Sequence, residues 1–404
     1  MNRRKFLGKT LATTATTLAF SALNSRAEEP AAPATFKRKI KLGVVGLGGR
    51  GQWIAGLFQK HGGYQISAVA DYFPAVATTG GKALGVDEAL CFSGLSGYQK
   101  VIASGVEAIV IIDVPYFYPE QTRAAVAAGL HVYMAKPVAV DVPGALAIQE
   151  AAKAATQRQR VFLVDYQIPT DPINIEVAQR IRDGGLGKLA QIQTTGMCGG
   201  FADPAQTANL ESRLQNLTWV NDIALGCDYI GNFDIHAIDA ALWAAGQRPV
   251  SAAGASRVCR ENPHGDAHDV CSVIYNYADG LVHNHFGQGL ANNSDGTLLA
   301  TFQGPLANAQ INYFGKSFVR GGPKHYGGGP VVNLYEAGAV RNIATFHNNV
   351  TEGQFENQTV PRAVDGVLTC VLGREAAARK AFLTMDELLK ENKKLEVDLT
   401  GLKA

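Results

Sequence analysis

The 404-residue sequence has no strong excess of charge and, beyond residue 27, no long hydrophobic run. A bilayer-spanning helix needs about 18 or more consecutive apolar residues, so we expect none in that part of the chain. The formal net charge is +2. A surface so close to neutral gives no electrostatic reason to bind nucleic acid or an anionic membrane, and we expect neither as a partner.

Cysteine is also sparse, and no C-x-x-C pair occurs. This excludes the common cysteine zinc sites and haem attachment, and it favours free buried thiols over a disulfide framework. The run from His264 to Asp269 could suggest a metal site. We favour a loop entering a strand there and predict no metal. The six cysteines are Cys91, Cys198, Cys227, Cys259, Cys271 and Cys370.

Residues 1–27 resemble a twin-arginine export signal. Arg3 and Arg4 open a basic segment without acidic residues, a mildly apolar stretch over 11–23 follows, and Ala27 ends a small-residue cleavage sequence. A membrane anchor is the alternative, but the apolar stretch is too short to span a bilayer. We therefore expect a cleaved signal and a periplasmic or otherwise exported protein. Proteins on this route cross the membrane already folded, commonly with a cofactor loaded beforehand.

Residues 28–37 are rich in Pro, Ala and Glu and are typical of a solvated linker. From residue 38 to residue 165 short apolar runs alternate with helical patterns, which indicates a parallel sheet covered by helices on both faces. We predict an α/β Rossmann domain over 38–165. Its strands are expected at 39–46, 66–71, 108–113, 131–134 and 160–165, and its helices at 51–60, 119–128 and 143–156.

The sequence pattern changes after residue 166, where strand-like runs recur without intervening helices. Such runs predict an α+β domain over 166–404 with a large, mostly antiparallel sheet. A helix at about 365–380 could pack back near the Rossmann domain. The expected strands are 189–195, 270–277, 281–286, 297–303 and 309–314, and the other expected helices are 173–182, 234–245 and one beginning at 385.

A glycine-rich loop joins the first strand to the first helix: Gly46-Leu47-Gly48-Gly49-Arg50-Gly51. In this context the glycines allow a tight turn, close approach to a pyrophosphate, and close packing of helix on strand. Asp71 ends the second strand, where an acid accepts hydrogen bonds from the adenosine ribose and repels a 2′-phosphate. NAD is therefore favoured over NADP, although Arg50 is close enough in sequence to soften that preference.

Two further motifs carry polar side chains suited to chemistry. Lys136-Pro137 follows the strand that begins at His131, at the sheet edge where ligands gather. His236 and Asp239 share one face of a predicted helix, and Asn232 lies one turn earlier. A lysine and a histidine so placed could polarise a hydroxyl group and take its proton. Taken alone, a solvated lysine and a structural histidine explain these residues as well.

Together the three motifs resemble the glucose-fructose oxidoreductase/inositol dehydrogenase (Gfo/Idh/MocA) family, from about residue 38 to the end of the sequence. The resemblance implies an NAD(P)-dependent oxidoreductase for CH–OH groups of carbohydrates or polyols. It assigns Lys136 and His236 to the oxidised carbinol, and it implies a homo-oligomer built through the open sheet face. Asp113, Tyr118 and Gln167 are further expected cofactor contacts, beside the glycine loop, Asp71, Lys136 and Pro137.

Three positions depart from the family pattern. Ala135 replaces the glutamate that precedes the lysine, Asn232 replaces an aspartate, and Tyr118 replaces a histidine common in that loop. Asn232 and Tyr118 remain candidate catalytic residues, but an amide cannot relay a proton as a carboxylate can. Nearby Asp228 could take over that role. His283 and His285 alternate onto one face of a strand and could line a sugar pocket.

Three functions fit these features. An exported dehydrogenase lacks a ready pool of soluble NAD, so we expect a tightly bound cofactor that is recycled in place by a second substrate. Alternatively, one substrate is transiently oxidised to a keto-sugar and returned, which gives glycoside hydrolysis, elimination or epimerisation. The third is a non-catalytic, NAD-bearing sugar-binding protein.

Overall fold

The computed structural model describes Phe36 and residues 38–404. The predicted export signal, and the predicted linker except for Phe36, lie outside the described residues. Within the described part of the chain, none of the helices combines the length and the apolar character that crossing a membrane requires.

The first sheet has six parallel strands in the order β3-β2-β1-β4-β5-β6. The chain starts in the middle of the sheet and reverses its direction of travel between β1 and β4, which leaves a crevice at the carboxyl ends of these strands. The strands are β1 Ile40–Val45, β2 Tyr64–Asp71, β3 Cys91–Ser93, β4 Ala108–Ile111, β5 His131–Ala135 and β6 Phe162–Asp165. The helices between them are α1 Gly49–His61, α2 Pro74–Ala83, α3 Gly97–Ala103, α4 Tyr118–Ala127 and α5 Val142–Gln157.

The second sheet has nine strands in the order β14-β13-β12-β11-β7-β10-β9-β8-β15, and only β7 and β10 pair in parallel. Both sheets confirm the predicted fold class. The strands are β7 Gln191–Cys198, β8 Ser251–Arg257, β9 Val270–Asn276, β10 Val282–Gly289, β11 Thr297–Gln303, β12 Ala307–Asn312, β13 Lys316–Gly321, β14 Tyr326–Pro330 and β15 Leu383–Thr384. The helices are α6 Pro172–Arg182, α7 Ile223–Gly226, α8 Ile235–Ala245, α9 Leu334–Glu352, α10 Thr359–Arg379 and α11 Met385–Glu391.

Helix α10 links the two sheets. It contacts α5 and β6 of the first sheet's layer and α8, β8 and β9 of the second. Most of its residues are buried, including Val367, Cys370 and Leu372 on different sides. A helix with buried residues on several sides is suited to such a central position. It begins at Thr359, earlier than predicted, because Pro361 is compatible with the first turn of a helix.

Two elements near the site differ from the sequence prediction. Helix α9 was not predicted, because polar residues share its buried face with Ala339, Ile343 and Phe346 and weaken the apolar pattern. The helix expected from residue 234 begins at Ile235, and the preceding turn Ile230–Asp234 is a π-helix. Such single π-turns occur frequently at functional sites.

A long segment without strands, residues 199–226, is anchored by buried ion pairs. Arg213 is 1% exposed, and it pairs with Asp203 at 2.7 Å and with Asp222 at 2.8 Å. Arg260 pairs with the other oxygen of Asp203, also at 2.7 Å. Asp203 therefore neutralises two arginines and fixes the segment to the loop that precedes β9.

We expect Asp203→Asn to lower the free energy of unfolding by about 3 kcal/mol, because it removes the carboxylate that two arginines share in a largely buried network. Urea unfolding at neutral pH measures the change. Asp295→Asn, at an exposed position, is the matched control and should lie within about 0.5 kcal/mol of the unmodified protein. Equal stability of the two variants would contradict this anchoring role.

Candidate active site

The glycine loop has the shape that a dinucleotide pyrophosphate requires. Gly46 has a φ of +88°, and a Cβ there would lie 2.2 Å from the carbonyl oxygen of Ile112. A Cβ on Gly51 would lie 1.9 Å from the carbonyl oxygen of Gly46, so only glycine allows strand and helix to approach this closely. No atom lies within 4 Å of the corresponding positions on Gly48 and Gly49. The amino end of α1 therefore faces open space and fits a phosphate group.

Asp71 braces this loop. Its carboxylate accepts a hydrogen bond from the backbone N–H of Leu47 at 2.8 Å and another from Phe73 at 2.9 Å. Burial raises the pKa of Asp71, and these two hydrogen bonds oppose the rise. The acid thus lies beside the glycine loop at the end of β2, where a ribose can be recognised.

Asp113 and Tyr118 lie on the other side of β1, after β4. Asp113 accepts hydrogen bonds from the N–H of Val114 and from the side chain of Gln121, each at 2.8 Å. Burial raises the pKa of Asp113 to about 6 against these hydrogen bonds. Tyr118 is buried in the first turn of α4, and burial together with nearby Asp113 raises the pKa of its phenol.

Arg50 leaves the glycine loop and pairs with Asp165 at the end of β6, at 2.5 Å. Its guanidinium also lies over the ring of Tyr335, 5.0 Å from the centroid, and over that of Trp53 at 5.7 Å. The second oxygen of Asp165 accepts a hydrogen bond from Asn342 at 2.8 Å. The arginine is therefore held towards β6 by a buried carboxylate and two aromatic rings.

Lys136 follows β5 and is half-buried. Its Nζ donates a hydrogen bond to the backbone carbonyl of Asn232 in the π-turn. Burial and the positive charge of Arg50 lower the pKa of Lys136 to about 7, although Asp165 works in the opposite direction. A substantial fraction of this lysine is therefore neutral near physiological pH and can accept a proton.

His236 lies in the first turn of α8 and is 8% exposed. Its ring packs edge-on against Tyr313 and Tyr166, with centroids 5.2 and 6.1 Å away. Its Nδ1 has no hydrogen-bond partner among the described residues. Burial, then the charges of Lys136 and Arg50, lower the pKa of His236 well below its usual value, so its imidazole is neutral.

The other predicted site residues have mainly positioning contacts. Asp239 pairs with Arg362 of α10 at 2.7 Å instead of contacting His236. Gln167 accepts a hydrogen bond from the hydroxyl of Tyr313 at 3.1 Å. Asn232 offers its backbone oxygen to the lysine, and Pro137 is buried directly after it.

Two sequence hypotheses are not supported by the contacts. Both oxygens of Asp228 accept hydrogen bonds from backbone N–H groups, those of Tyr229 and His268, and not from the lysine or histidine of the site, although burial raises the pKa of Asp228 to about 7. His283 and His285 are buried behind the site and bond to the same hydroxyl, that of Thr194, at 2.7 and 2.9 Å. They support β10 from the interior and do not line a pocket.

Several residues of the site were missed by sequence reasoning. Asp165 was detectable in principle, because it ends a predicted strand at the same sheet edge as Lys136. Tyr313 lies within the run predicted as a strand at 309–314. Asn342 and Tyr335 were not detectable, since they lie on or at the start of the unpredicted helix α9.

The fold and the glycine loop define a dinucleotide-binding oxidoreductase, and comparison with known families agrees. The NAD-binding Rossmann model of the Gfo/Idh/MocA oxidoreductase family matches residues 40–166, and the C-terminal domain model of the same family matches residues 175–297. Together these matches cover more than half of the chain. The chain belongs to the Gfo/Idh/MocA family.

Individual relatives are distant. The chain is 26% identical to an oxidoreductase of Synechocystis over 55% of this chain and 56% of that protein. It is 24% identical to inositol 2-dehydrogenase of Rhizobium meliloti over 60% of this chain and 66% of that enzyme. It thus spans between half and two thirds of the length of these curated relatives. The structure of levoglucosan dehydrogenase with NADH superposes with a TM-score of 0.69 at 16% identity, over 86% of this chain and 99% of the other.

The open space beside Gly48 allows a test of whether the glycine loop binds the pyrophosphate. Gly48→Ala adds a methyl group where no atom lies within 4 Å, so we expect unchanged thermal stability. The methyl group stands where the backbone must approach a pyrophosphate, so affinity for NAD should fall about tenfold or more by calorimetry. Gly51→Ala is the contrasting variant and should destabilise the fold by about 2 kcal/mol through overpacking. Undiminished NAD affinity in Gly48→Ala would contradict this assignment.

The lowered pKa of Lys136 can be tested without a substrate. The reaction of lysines with limiting acetic anhydride, followed by peptide mass spectrometry across a pH series, reports the neutral amine. Lys136 should reach half of its maximal labelling near pH 7, whereas ordinary lysines titrate at about 10.4 and provide the reference curve.

Asp165→Asn removes the anion that favours the charged lysine and should move the Lys136 labelling curve to lower pH, by about one unit. Asp295→Asn is again the control and should leave the curve unchanged. A curve for Lys136 that coincided with the reference lysines would refute the electrostatic account of the site.

Proposed function

We propose that this protein is an exported, NAD-dependent oxidoreductase that acts on a hydroxyl group of a carbohydrate or polyol and keeps its cofactor through the catalytic cycle. One observation carries the proposal. Lys136 is tied to the turn that leads into the helix of His236, and both side chains lie at the carboxyl edge of the sheet with lowered pKa values. Two neutral bases beside a dinucleotide loop suit the removal of a hydroxyl proton.

NAD is favoured over NADP on the charges of this chain. Asp71 places a carboxylate beside the loop, where it repels a 2′-phosphate. Arg50, the nearest basic residue of the loop, is committed to Asp165 and two aromatic rings. It is therefore not available to neutralise a phosphate beside Asp71.

Proton transfer follows from the geometry of the two bases. When bound, the nicotinamide supplies the hydride acceptor or donor. In this proposal Nζ of Lys136 holds the substrate oxygen, and the imidazole of His236 receives its proton. Tyr313 and Tyr166 flank that imidazole, which restricts water and keeps the ring oriented.

The substrate class is proposed from relatives. The names inositol 2-dehydrogenase and levoglucosan dehydrogenase describe enzymes for a cyclic polyol and an anhydro-sugar. A second copy of the chain is the proposed partner, because the open face of the nine-stranded sheet exposes Ile274, Val282 and Phe286.

Release of the cofactor tests the proposal. The purified protein is denatured, and the released dinucleotide is identified by mass spectrometry; we expect NAD. Intact protein is then mixed with sugars, polyols and glycosides while nicotinamide absorbance is followed. A lasting change indicates net redox chemistry, and product without a lasting change indicates oxidation and return of one substrate.

Lys136→Ala should retain NAD and lose turnover by about 10²–10⁴-fold, the usual range for a removed acid–base group. Lys153→Ala, at an exposed position on α5, is the control with unchanged turnover. Release of NADP would overturn the role of Asp71. An NAD-loaded protein that converts none of these compounds would leave a sugar-binding protein without catalysis.

A further inference from the structure

Residues 393–404, called here the closing segment, run across the carboxyl edge of the six-stranded sheet. Its inward residues alternate with exposed ones, as expected of an extended chain lying on a surface. Val397, Leu399 and Leu402 pack in one apolar cluster with residues that follow β2, β3 and β4. Those residues are Tyr72, Phe73, Leu95, Val114, Tyr116 and Phe117.

Backbone hydrogen bonds fix the end of this segment over the site. The N–H of Leu95 donates to the carbonyl of Lys403 at 3.0 Å, and the N–H of Lys403 donates to the hydroxyl oxygen of Tyr72 at 3.2 Å. At Gly94 a Cβ would lie 2.1 Å from the carbonyl oxygen of Ala404. Tyr72 directly follows Asp71, so the closing segment is bound next to the residue assigned to the ribose.

A second segment meets the closing segment from the other side. Residues 209–226, called here the covering loop, contribute Leu210, Leu214 and Leu225 to the same cluster. The side chain of Asn209 donates a hydrogen bond to the carbonyl of Gly401 at 3.0 Å. The covering loop belongs to the segment that the buried pairs of Arg213 hold in place, so it is a firm support.

Below these two segments lies a narrow cavity of about 20 Å³, which is room for about one water molecule. Its walls include Asp71 and Asp113, which lie on either side of β1, and Leu214 of the covering loop. This is the side of the glycine loop on which an adenosine must lie, and an adenine ring needs far more room. The adenosine of a bound dinucleotide therefore needs more room beside Asp71 than this cavity offers.

A larger cavity of about 630 Å³ adjoins the narrow one and shares Tyr98, Phe117 and Gln121 with it. Its wall includes Leu395 and Leu399 of the closing segment. Leu95 and Phe117 line both cavities, and they belong to the same apolar cluster as Val397, Leu399 and Leu402 of the closing segment. Loss of the closing segment would therefore release the side chains between the two cavities, whereas the covering loop is held by the ion pairs of Arg213.

We propose that the closing segment, seated against the covering loop, forms the outer wall of the adenosine half of the dinucleotide site and limits the exchange of the cofactor. This inference rests on the proposed function, because it supplies a physical cause for the retention of NAD. The apolar contacts hold the closing segment in place, because the exposed ion pair of Lys403 with Glu211 contributes little to its stability.

The test is the rate of cofactor exchange. The full chain loaded with NAD is mixed with excess deuterated NAD, and the bound dinucleotide is followed by mass spectrometry. In the double variant Leu399→Ser, Leu402→Ser we expect exchange to be about tenfold faster or more, because two apolar contacts of the wall are lost. Glu396→Ser, at an exposed position of the same segment, is the matched control and should exchange at the unmodified rate.

Hydrogen–deuterium exchange of the unmodified protein gives an independent readout if the double variant folds poorly. Amides of residues 397–403 should exchange more slowly with NAD bound than without it. Equal cofactor exchange in a folded double variant and in the unmodified protein, or no NAD-dependent protection of these amides, would overturn the inference. A chain that binds no dinucleotide at all would instead overturn the proposed function.

Discussion

A single buried carboxylate, that of Asp165, is the constraint on which the site depends. Arg50 and Lys136 lie in one region of low water content, where Arg50 lowers the pKa of Lys136 and both lower the pKa of His236. Asp165 is fully buried and pairs with Arg50, while Asn342 fixes its second oxygen. Without this anion, Arg50 would lose its partner in a largely buried place and Lys136 would be still less able to carry a proton. With it, the glycine loop, β6 and α9 are tied together.

The position of Asp165 also explains how the chain tolerates an alanine before Lys136. Ala135 and Asp165 are partners in the parallel register of β5 and β6. The carboxylate that family resemblance places at residue 135 is thus present on the neighbouring strand at the same level of the sheet. Asp165 therefore gives the lysine electrostatic support from the neighbouring strand and also pairs with Arg50. A comparison of the motif along the sequence shows only that the glutamate is missing at residue 135.

Features that depend on local chemistry were predicted correctly from the sequence. The apolar runs of β1, β2 and β11, the glycine loop and the helix of His236 follow from short-range patterns, and the fold class follows from their order. Features set by packing were missed. Helix α9 shows too many polar residues, and Asp239 binds Arg362, which is 123 positions away in the sequence. His283 and His285 alternate as expected, but their inward side faces the interior and not a pocket.

The order of the elements along the chain determines when each part of the site is synthesised. The six parallel strands and the glycine loop lie within the first 165 residues, whereas the closing segment follows β15 and α11. The ribosome therefore releases the glycine loop and its sheet long before it releases the closing segment. On the nascent chain the glycine loop is complete while α10, which contacts both sheets, is still absent. The order of synthesis thus leaves the carboxyl edge of the six-stranded sheet uncovered until the second sheet has been made.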